Sequence, residues 1–438
     1  MPKSEIPQLT GLRFLAAFSI LFLHTVAWCI PFNDTRIPSA IGGAVGVFGM
    51  PLFFVLSGFV IHYNYASLFH DQTLGSASRN FFSARFARLY PLFLFFMVFG
   101  SVSDFVSNWI SYAPQEFEAY LVHNLTLTQS WVYKFAIHDR LVLNHGFGLA
   151  WSISTEFFFY VAYPFMVFGV LRIRRARTGI AAFVLFSVAF IVLLTVALSN
   201  FGSIETWAKG FFPRVVTGRL DNDASFYRWL FYFSPYVRIG EFIVGCLAAQ
   251  LFMTVREMPI TRRERLYARL VYAVAIVWLA GFAFIYGYSA AVPGGLGGPG
   301  TFGNELVNIV HFSALNFGLA VPLAVVMFYT SRYECFSANL LALPAMVWLG
   351  EISYSLYAVH TWTLRPLIRP AVSWNEVYAV DAILRVTMGI AFTIIVSVGT
   401  YQMIEQPARR YLRKLLMNGK GTRPAAAPAY ASNEVKGT

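Results

Sequence analysis

An all-α bundle of about ten membrane-spanning helices, with both termini on the cytoplasmic side, is the fold class this sequence predicts. Three observations predict it. Apolar stretches long enough to cross a bilayer, about 20 residues each, recur along the chain. Of its 438 residues 57% are hydrophobic and only 12% charged, against roughly a quarter charged in a soluble domain, and mean hydropathy is +0.59. The net charge of +12 sits in short basic runs between apolar stretches. That placement follows membrane topology, in which cytoplasmic loops retain Lys and Arg, and argues against nucleic acid as a partner.

The spans are read at 9–30, 41–63, 89–111, 149–171, 179–199, 229–253, 269–288, 306–329, 344–365 and 379–402. With the N-terminus inside, the even-numbered loops are cytoplasmic. They carry Arg79, Arg85 and Arg88, then "RIRRAR" (172–177), then "TRRERLYAR" (261–269), then Arg332, and the tail carries Arg409, Arg410, Arg413 and Lys414. All fall on the retained side. Segments 112–148 and 200–228 are long, aromatic and polar, and are expected to form short interfacial helices outside. "VPGGLGGPG" (292–300) reads as an outer turn. Residues 1–405 are read as one transmembrane domain and 406–438 as a basic cytoplasmic tail, disordered towards its end. The first span does not read as a cleaved signal peptide, since no small-residue cleavage site follows it. No soluble catalytic domain is read beside the bundle, so any chemistry is expected in or next to it. Cys29, Cys246 and Cys335 are far apart and form neither a disulfide framework nor a metal-ligand spacing. No metal is expected.

The informative residues are polar ones inside apolar stretches. "LTGLRFLAAFSILFLH" (9–24) holds Arg13 and His24, eleven positions apart. At about 100° and about 1.5 Å per residue they share one helix face roughly 16 Å apart. Arg13 can snorkel and His24 can be a hydrogen-bonded structural residue, but a common face points both into one cavity. In "GVFGMPLFFVLSGFVI" (46–61) Gly46, Gly49, Ser57 and Gly58 allow close helix approach, and Pro51 is expected to kink or break the span. "SARFARLYPLF" (83–93) puts Arg85 and Arg88 three apart, just before the third span. They read either as a topology anchor or as a phosphate clamp, because guanidinium groups bind phosphate oxygens in pairs.

"GLAWSISTEFFFYVAYP" (148–164) carries Glu156 within the fourth span, on one face with Ser152 and Tyr160. An intramembrane carboxylate is a functional candidate. Arg238 and Glu241, three apart, read as an internal ion pair. "WLGEISYSLYAVHTW" (348–362) places Glu351 near the inner end of the ninth span and His360 towards its outer end, with Tyr354 and Tyr357 able to reach the interior. "YQMIEQPARR" (401–410) marks the inner boundary. His123, His138 and His145 are dispersed in outer segments and are assigned no metal.

Taken in order, "LTGLRFLAAFSILFLH", "GVFGMPLFFVLSGF", "RFARLYP", "WSISTEFFFY", "RIGEFIVG", "GEISYSLYAVH" and "EQPARR" resemble the acyltransferase-3 family of membrane O-acyltransferases over nearly the whole chain. The resemblance implies a ten-span bundle that takes an acyl group, usually acetyl from acetyl-CoA, to a sugar or lipid-linked glycan. The family's arginine–histidine pattern maps onto Arg13 and His24, and its paired-arginine motif onto Arg85 and Arg88. The fourth span departs from the family's two consecutive acids, retaining only Glu156. The resemblance implies a stand-alone member without the fused extracytoplasmic hydrolase-like domain, in a bacterial cytoplasmic (inner) membrane.

Residues and resemblance together predict acyl transfer. Acetyl-CoA, a donor substrate rather than a permanently bound cofactor, is expected to meet Arg85 and Arg88 from the cytoplasm. Its acyl end is expected to reach a cavity lined by Arg13, His24 and Glu156. His24 is the expected general base, Glu156 its expected orienting partner, and His360 a further catalytic candidate. The rival expectation is a proton-coupled transporter or lipid-glycan flippase, because intramembrane His, Glu and Arg also build proton relays.

Overall fold

The computed structural model describes residues 6–29, 36–108, 114–136, 140–144, 149–218, 222–291, 317–364 and 379–417. It is an all-α polytopic bundle. Among the described residues the strand content is one two-stranded antiparallel pair, β1 (Phe135–Ala136) with β2 (Arg140–Leu141). Among the described residues eight helices are long and apolar enough to cross a membrane. Of the two remaining expected spans, 306–329 is described only from 317, where α12 (Ala320–Arg332) lies. The other, 344–365, is two helices, α14 (Pro344–Glu351) and α15 (Ser353–Leu364), preceded by the short α13 (Phe336–Leu341). The break falls at Ile352, next to Gly350, whose missing side chain lets the backbone of Thr10 approach closely.

Helix α1 (Pro7–Cys29) starts on a proline, whose fixed φ suits a first helical position. It is hemmed in by α2 (Arg36–Gly46), α3 (Gly49–Asp71), α14, α15 and α16 (Ala379–Thr400). The expected second span is α2 plus α3, parted at Val47–Phe48. Pro51 therefore sits in the first turn of α3, where its missing N–H costs little. Helix α3 packs most extensively on α10 (Pro235–Val255). Two glycines make this possible: a side chain on Gly58 would strike the carbonyl of Phe242, and one on Gly245 the carbonyl of Val55. The close approach expected of Gly58 is thus present.

Burial grades from this centre outwards. The Ala40–Asp71 stretch is 72% buried, whereas α7 (Ala176–Ser199) is 11% buried and presents Val184, Leu185, Val188 and Val192 outwards. An apolar outer face of that size belongs against lipid. Helix α11 (Arg262–Ala291) is similarly peripheral at 17%. At one end Arg332 and Tyr333 both hydrogen-bond Glu264 at 2.8 Å, tying α12 to α11.

One boundary differs from expectation. Helix α4 (Leu74–Asn108) begins far earlier than position 89, so Arg85 and Arg88 lie inside it rather than before it. The segment stays helical because Arg85 is buried against tyrosines instead of reaching water. Segments 112–148 and 200–228 contain the short helices α5 (Pro114–Leu125) and α8 (Phe201–Lys209), and the second is followed by a short turn, α9 (Phe226–Arg228), that leads into α10 through the wider turn Trp229–Phe233. Past α16 the chain widens over Tyr401–Glu405 and continues as α17 (Gln406–Met417), which packs on α4. Packed structure therefore extends beyond 405. "VPGGLGGPG", His138, His145 and the tail from 418 lie outside the described residues.

Candidate active site

A cavity lies among α1, α3, α4, α6 (Ala150–Leu171) and α15. Arg13 enters it from α1, Ser57 from α3, Arg85 and Arg88 from α4, Ser152 and Glu156 from α6, and Tyr354 and Tyr357 from α15. The four-residue spacing of Ser152, Glu156 and Tyr160 puts them on one face, as the helical period requires. One carboxylate oxygen of Glu156 accepts from Ser57 Oγ at 2.8 Å and from Tyr160 OH at 2.6 Å. Tyr357 OH and Ser152 Oγ are 2.7 Å apart, and Tyr357 OH also donates to the Leu149 carbonyl at 3.2 Å.

The cavity is cationic. Arg85 donates from Nη2 to Tyr65 OH at 2.6 Å and lies 4.5 Å over the Tyr65 ring, with Tyr160 at 5.9 Å. Its Nε is buried without a hydrogen-bond partner among the described residues. Arg13 lies in the field of Arg88, Arg85, Arg409 and Glu156. Glu405, buried at the end of the wider turn Tyr401–Glu405 and accepting from Ser355 Oγ at 2.6 Å, lies in the field of Arg88 and Arg409. Four guanidiniums thus gather around two carboxylates, and no ion pair within 4 Å joins Arg13, Arg88 or Arg409 to a carboxylate among the described residues. Such an excess of half-buried positive charge suits an anion.

His24 is elsewhere. Instead of lining the cavity with Arg13, its ring Nδ1 lies 2.8 Å from Nε2 of His360. His360 is fully buried, and its Nδ1 is 2.7 Å from the carbonyl oxygen of Tyr357. The shared face of Arg13 and His24 is real, but roughly three turns of helix separate them, so each meets different neighbours. Nor does Glu156 orient His24, because its carboxylate is engaged by Ser57 and Tyr160. Tyr357 connects the two regions: its hydroxyl is in the cavity and its backbone carbonyl holds His360.

The comparisons with known proteins bear on this arrangement. The family model for the acyltransferase domain, that of the acyltransferase-3 family, matches residues 6–402. The chain belongs to the acyltransferase-3 family. It is 30% identical over 258 residues to "Acyltransferase MdmB" of Streptomyces mycarofaciens, covering 57% of this chain and 58% of that one. It is 22% identical over 415 residues to YrhL of Bacillus subtilis (strain 168), whose name proposes a peptidoglycan O-acetyltransferase, covering 92% of this chain and 55% of that one. The chain thus spans little more than half the length of these relatives. No solved structure matches it.

Other expected features have their own places. Arg238 and Glu241 form a fully buried ion pair at 2.9 Å, and Arg238 also donates from Nε to the Tyr232 carbonyl. His123 lies 2.9 Å from Thr128 Oγ1. Among the described residues no group of histidine, cysteine and carboxylate side chains could hold a metal. Two contributors escaped the sequence reading. Arg409 was legible only as a topology marker, and Tyr65 is one tyrosine among the chain's 23. Outside the cavity, His62 is buried within hydrogen-bonding distance of Gln250 and Tyr163, which no local spacing in the sequence pairs with it.

Proposed function

We propose that this protein is an integral-membrane O-acyltransferase that moves an acyl group, acetyl from acetyl-CoA, to a hydroxyl of a sugar or lipid-linked glycan. The observation that carries the proposal is the two-pole layout of α1. One pole is a cationic cavity at Arg13 with Arg85, Arg88 and Arg409. The other, about 16 Å along the same helix, is a histidine pair in which His360 is fully buried and His24 half-buried. A coenzyme A thioester has matching poles, since its phosphates and its reactive sulfur are held apart by the pantetheine arm. The arginines take the phosphates through charge-assisted bonds, and Arg85 Nε has a hydrogen left to donate.

At the other pole His24 serves as general base. The acceptor hydroxyl oxygen attacks the thioester carbonyl while its proton passes to His24. The new C–O bond forms, the C–S bond breaks, and the proton returns to sulfur as the coenzyme A thiol leaves. Glu156 has a different part from the one expected of it. Anchored by Ser57 and Tyr160, it offsets part of the arginine charge and keeps the cavity polar. The membrane is the bacterial cytoplasmic membrane, with both termini inside.

The test is radiolabelled acetyl transfer by the full chain in proteoliposomes, with wild type compared against His24→Gln. Label should move from acetyl-CoA to the glycan fraction only with wild type. Movement of an unmodified glycan across the bilayer without acyl transfer would replace this reading with transport.

A further inference from the structure

We infer that His360 is a positioning residue that decides which nitrogen of His24 is basic. The inference rests on the reading of His24 as the base and adds a defined protonation pattern to it. Nδ1 of His360 faces the Tyr357 carbonyl oxygen at 2.7 Å. A carbonyl can only accept, so this nitrogen carries a hydrogen. The ring is wholly buried, and the titratable group in whose field it lies is His24, not a carboxylate. A second hydrogen would make it a buried cation without a counter-ion among the described residues, which is the costly state. His360 is therefore neutral, and its Nε2 holds a lone pair.

That lone pair faces His24 Nδ1 at 2.8 Å. Two lone pairs at this distance would repel, so His24 Nδ1 carries the hydrogen and donates it. The ring geometry agrees. The centroids are 5.0 Å apart and the planes differ by 14°, which at a 2.8 Å nitrogen contact sets the rings edge to edge and nearly coplanar. Imidazole lone pairs lie in the ring plane, so this is a hydrogen-bonded orientation and not a face-to-face stack. With its hydrogen on Nδ1, neutral His24 keeps its own lone pair on Nε2.

The result is a directed chain: His24 Nδ1–H donates to His360 Nε2, and His360 Nδ1–H donates to the Tyr357 carbonyl. When the acceptor hydroxyl gives its proton to His24 Nε2, the Nδ1–H bond to His360 stays in place and steadies the imidazolium. In the opposite tautomer Nε2 would already hold a hydrogen and could not take the proton. Fixing a base's tautomer through its second nitrogen is the part a carboxylate plays in hydrolytic triads. Here a neutral imidazole backed by a backbone carbonyl does it, which suits an apolar setting where a third charge would need its own partner.

Nitrogen-15 NMR of the full-length, histidine-labelled protein in lipid nanodiscs reads the tautomers directly, with His24→Gln and His360→Gln used for assignment. Both rings should be neutral with hydrogen on Nδ1 and none on Nε2. Hydrogen on Nε2 of His24 in the wild type would overturn the inference with no variant needed. His360→Leu should move the His24 hydrogen to Nε2 and lower kcat by about 10²-fold, the lower range for a general base, with KM for acetyl-CoA unchanged. His360→Gln, whose Oε1 can accept from His24, should restore the Nδ1–H form and most of the rate. An unaltered His24 tautomer in His360→Leu would also overturn the inference. If the tautomers are as stated but His24→Gln transfers acetyl normally, the base assignment fails and the tautomer assignment stands.

Discussion

The two polar regions on α1 differ in how far their hydrogen bonding is closed. Around Arg13 guanidiniums outnumber carboxylates, Arg85 Nε is buried without a partner among the described residues, and Arg88 and Arg409 are only half-buried. Around His24 the chain runs from ring to ring to backbone carbonyl inside an apolar cluster. Unsatisfied buried donors are costly and call for a ligand. A closed network holds one geometry, which is what a proton-transfer group requires. On the proposed function, the same helix would carry a region completed by a substrate and a region that stays fixed. That division is how a binding end differs from a reacting end.

The largest effect should come from breaking the fixed end. His24→Ala should lower acetyl transfer by about 10²–10⁴-fold, the usual contribution of a general base, while acetyl-CoA affinity at the arginine end stays within a few-fold. His24→Gln should not recover the rate, since an amide cannot take up the proton. Turnover and isothermal titration on variants matched for thermal stability separate the two quantities. Near-normal turnover of His24→Gln would make the histidine pair structural and erase the functional half of the comparison.

Breaking the open end should do the reverse. Replacing both Arg85 and Arg88 with Ala removes two charge-assisted contacts and should weaken acetyl-CoA binding by about 10²-fold or more. Arg88→Lys keeps the charge and loses the planar fork, so a loss of about tenfold is expected. Binding should also weaken with ionic strength, because Arg88 and Arg409 keep part of their surface in solvent, though less steeply than for fully exposed charges. The His24 variants should leave that salt dependence unaltered. Unchanged affinity in the double variant would remove the phosphate role from α4.

How much of this was legible beforehand follows from the range of each interaction. The all-α bundle and eight of the ten expected spans could be read because twenty consecutive apolar residues are a local property. So was the pairing of Arg238 with Glu241, three residues apart. The Arg13–His24 face followed from helical period, but period says nothing about which helices stand opposite. Only the tertiary packing brings His360 to His24 across 336 positions and sends Glu156 to Ser57 instead. Arg85 was read just before the third span, as an anchor or a phosphate clamp, because an arginine beside an apolar stretch is expected to seek water or an anion. Tyr65, twenty residues earlier, supplies the hydroxyl and ring that let it stay buried.

The smallest expected effect tests the charge balance of the open end, and its sign is the useful part. Glu156 is a carboxylate lining the cavity, in the field of Arg13 and Arg85. Glu156→Gln keeps nearly the same shape and can still accept from Ser57 and Tyr160, so the anchor survives. What disappears is one negative charge facing the arginines. If the cavity binds an anion, removing that charge raises the positive excess and should strengthen acetyl-CoA binding by a few-fold at low salt, with the gain shrinking as salt is added. If Glu156 instead acts directly in proton transfer, the same variant should bind no better and lose turnover by about 10²-fold or more. A tighter binder with largely preserved turnover would therefore assign Glu156 to the charge balance of the donor end. A normal affinity with lost turnover would move the reacting end into the cavity and dissolve the division between the two regions.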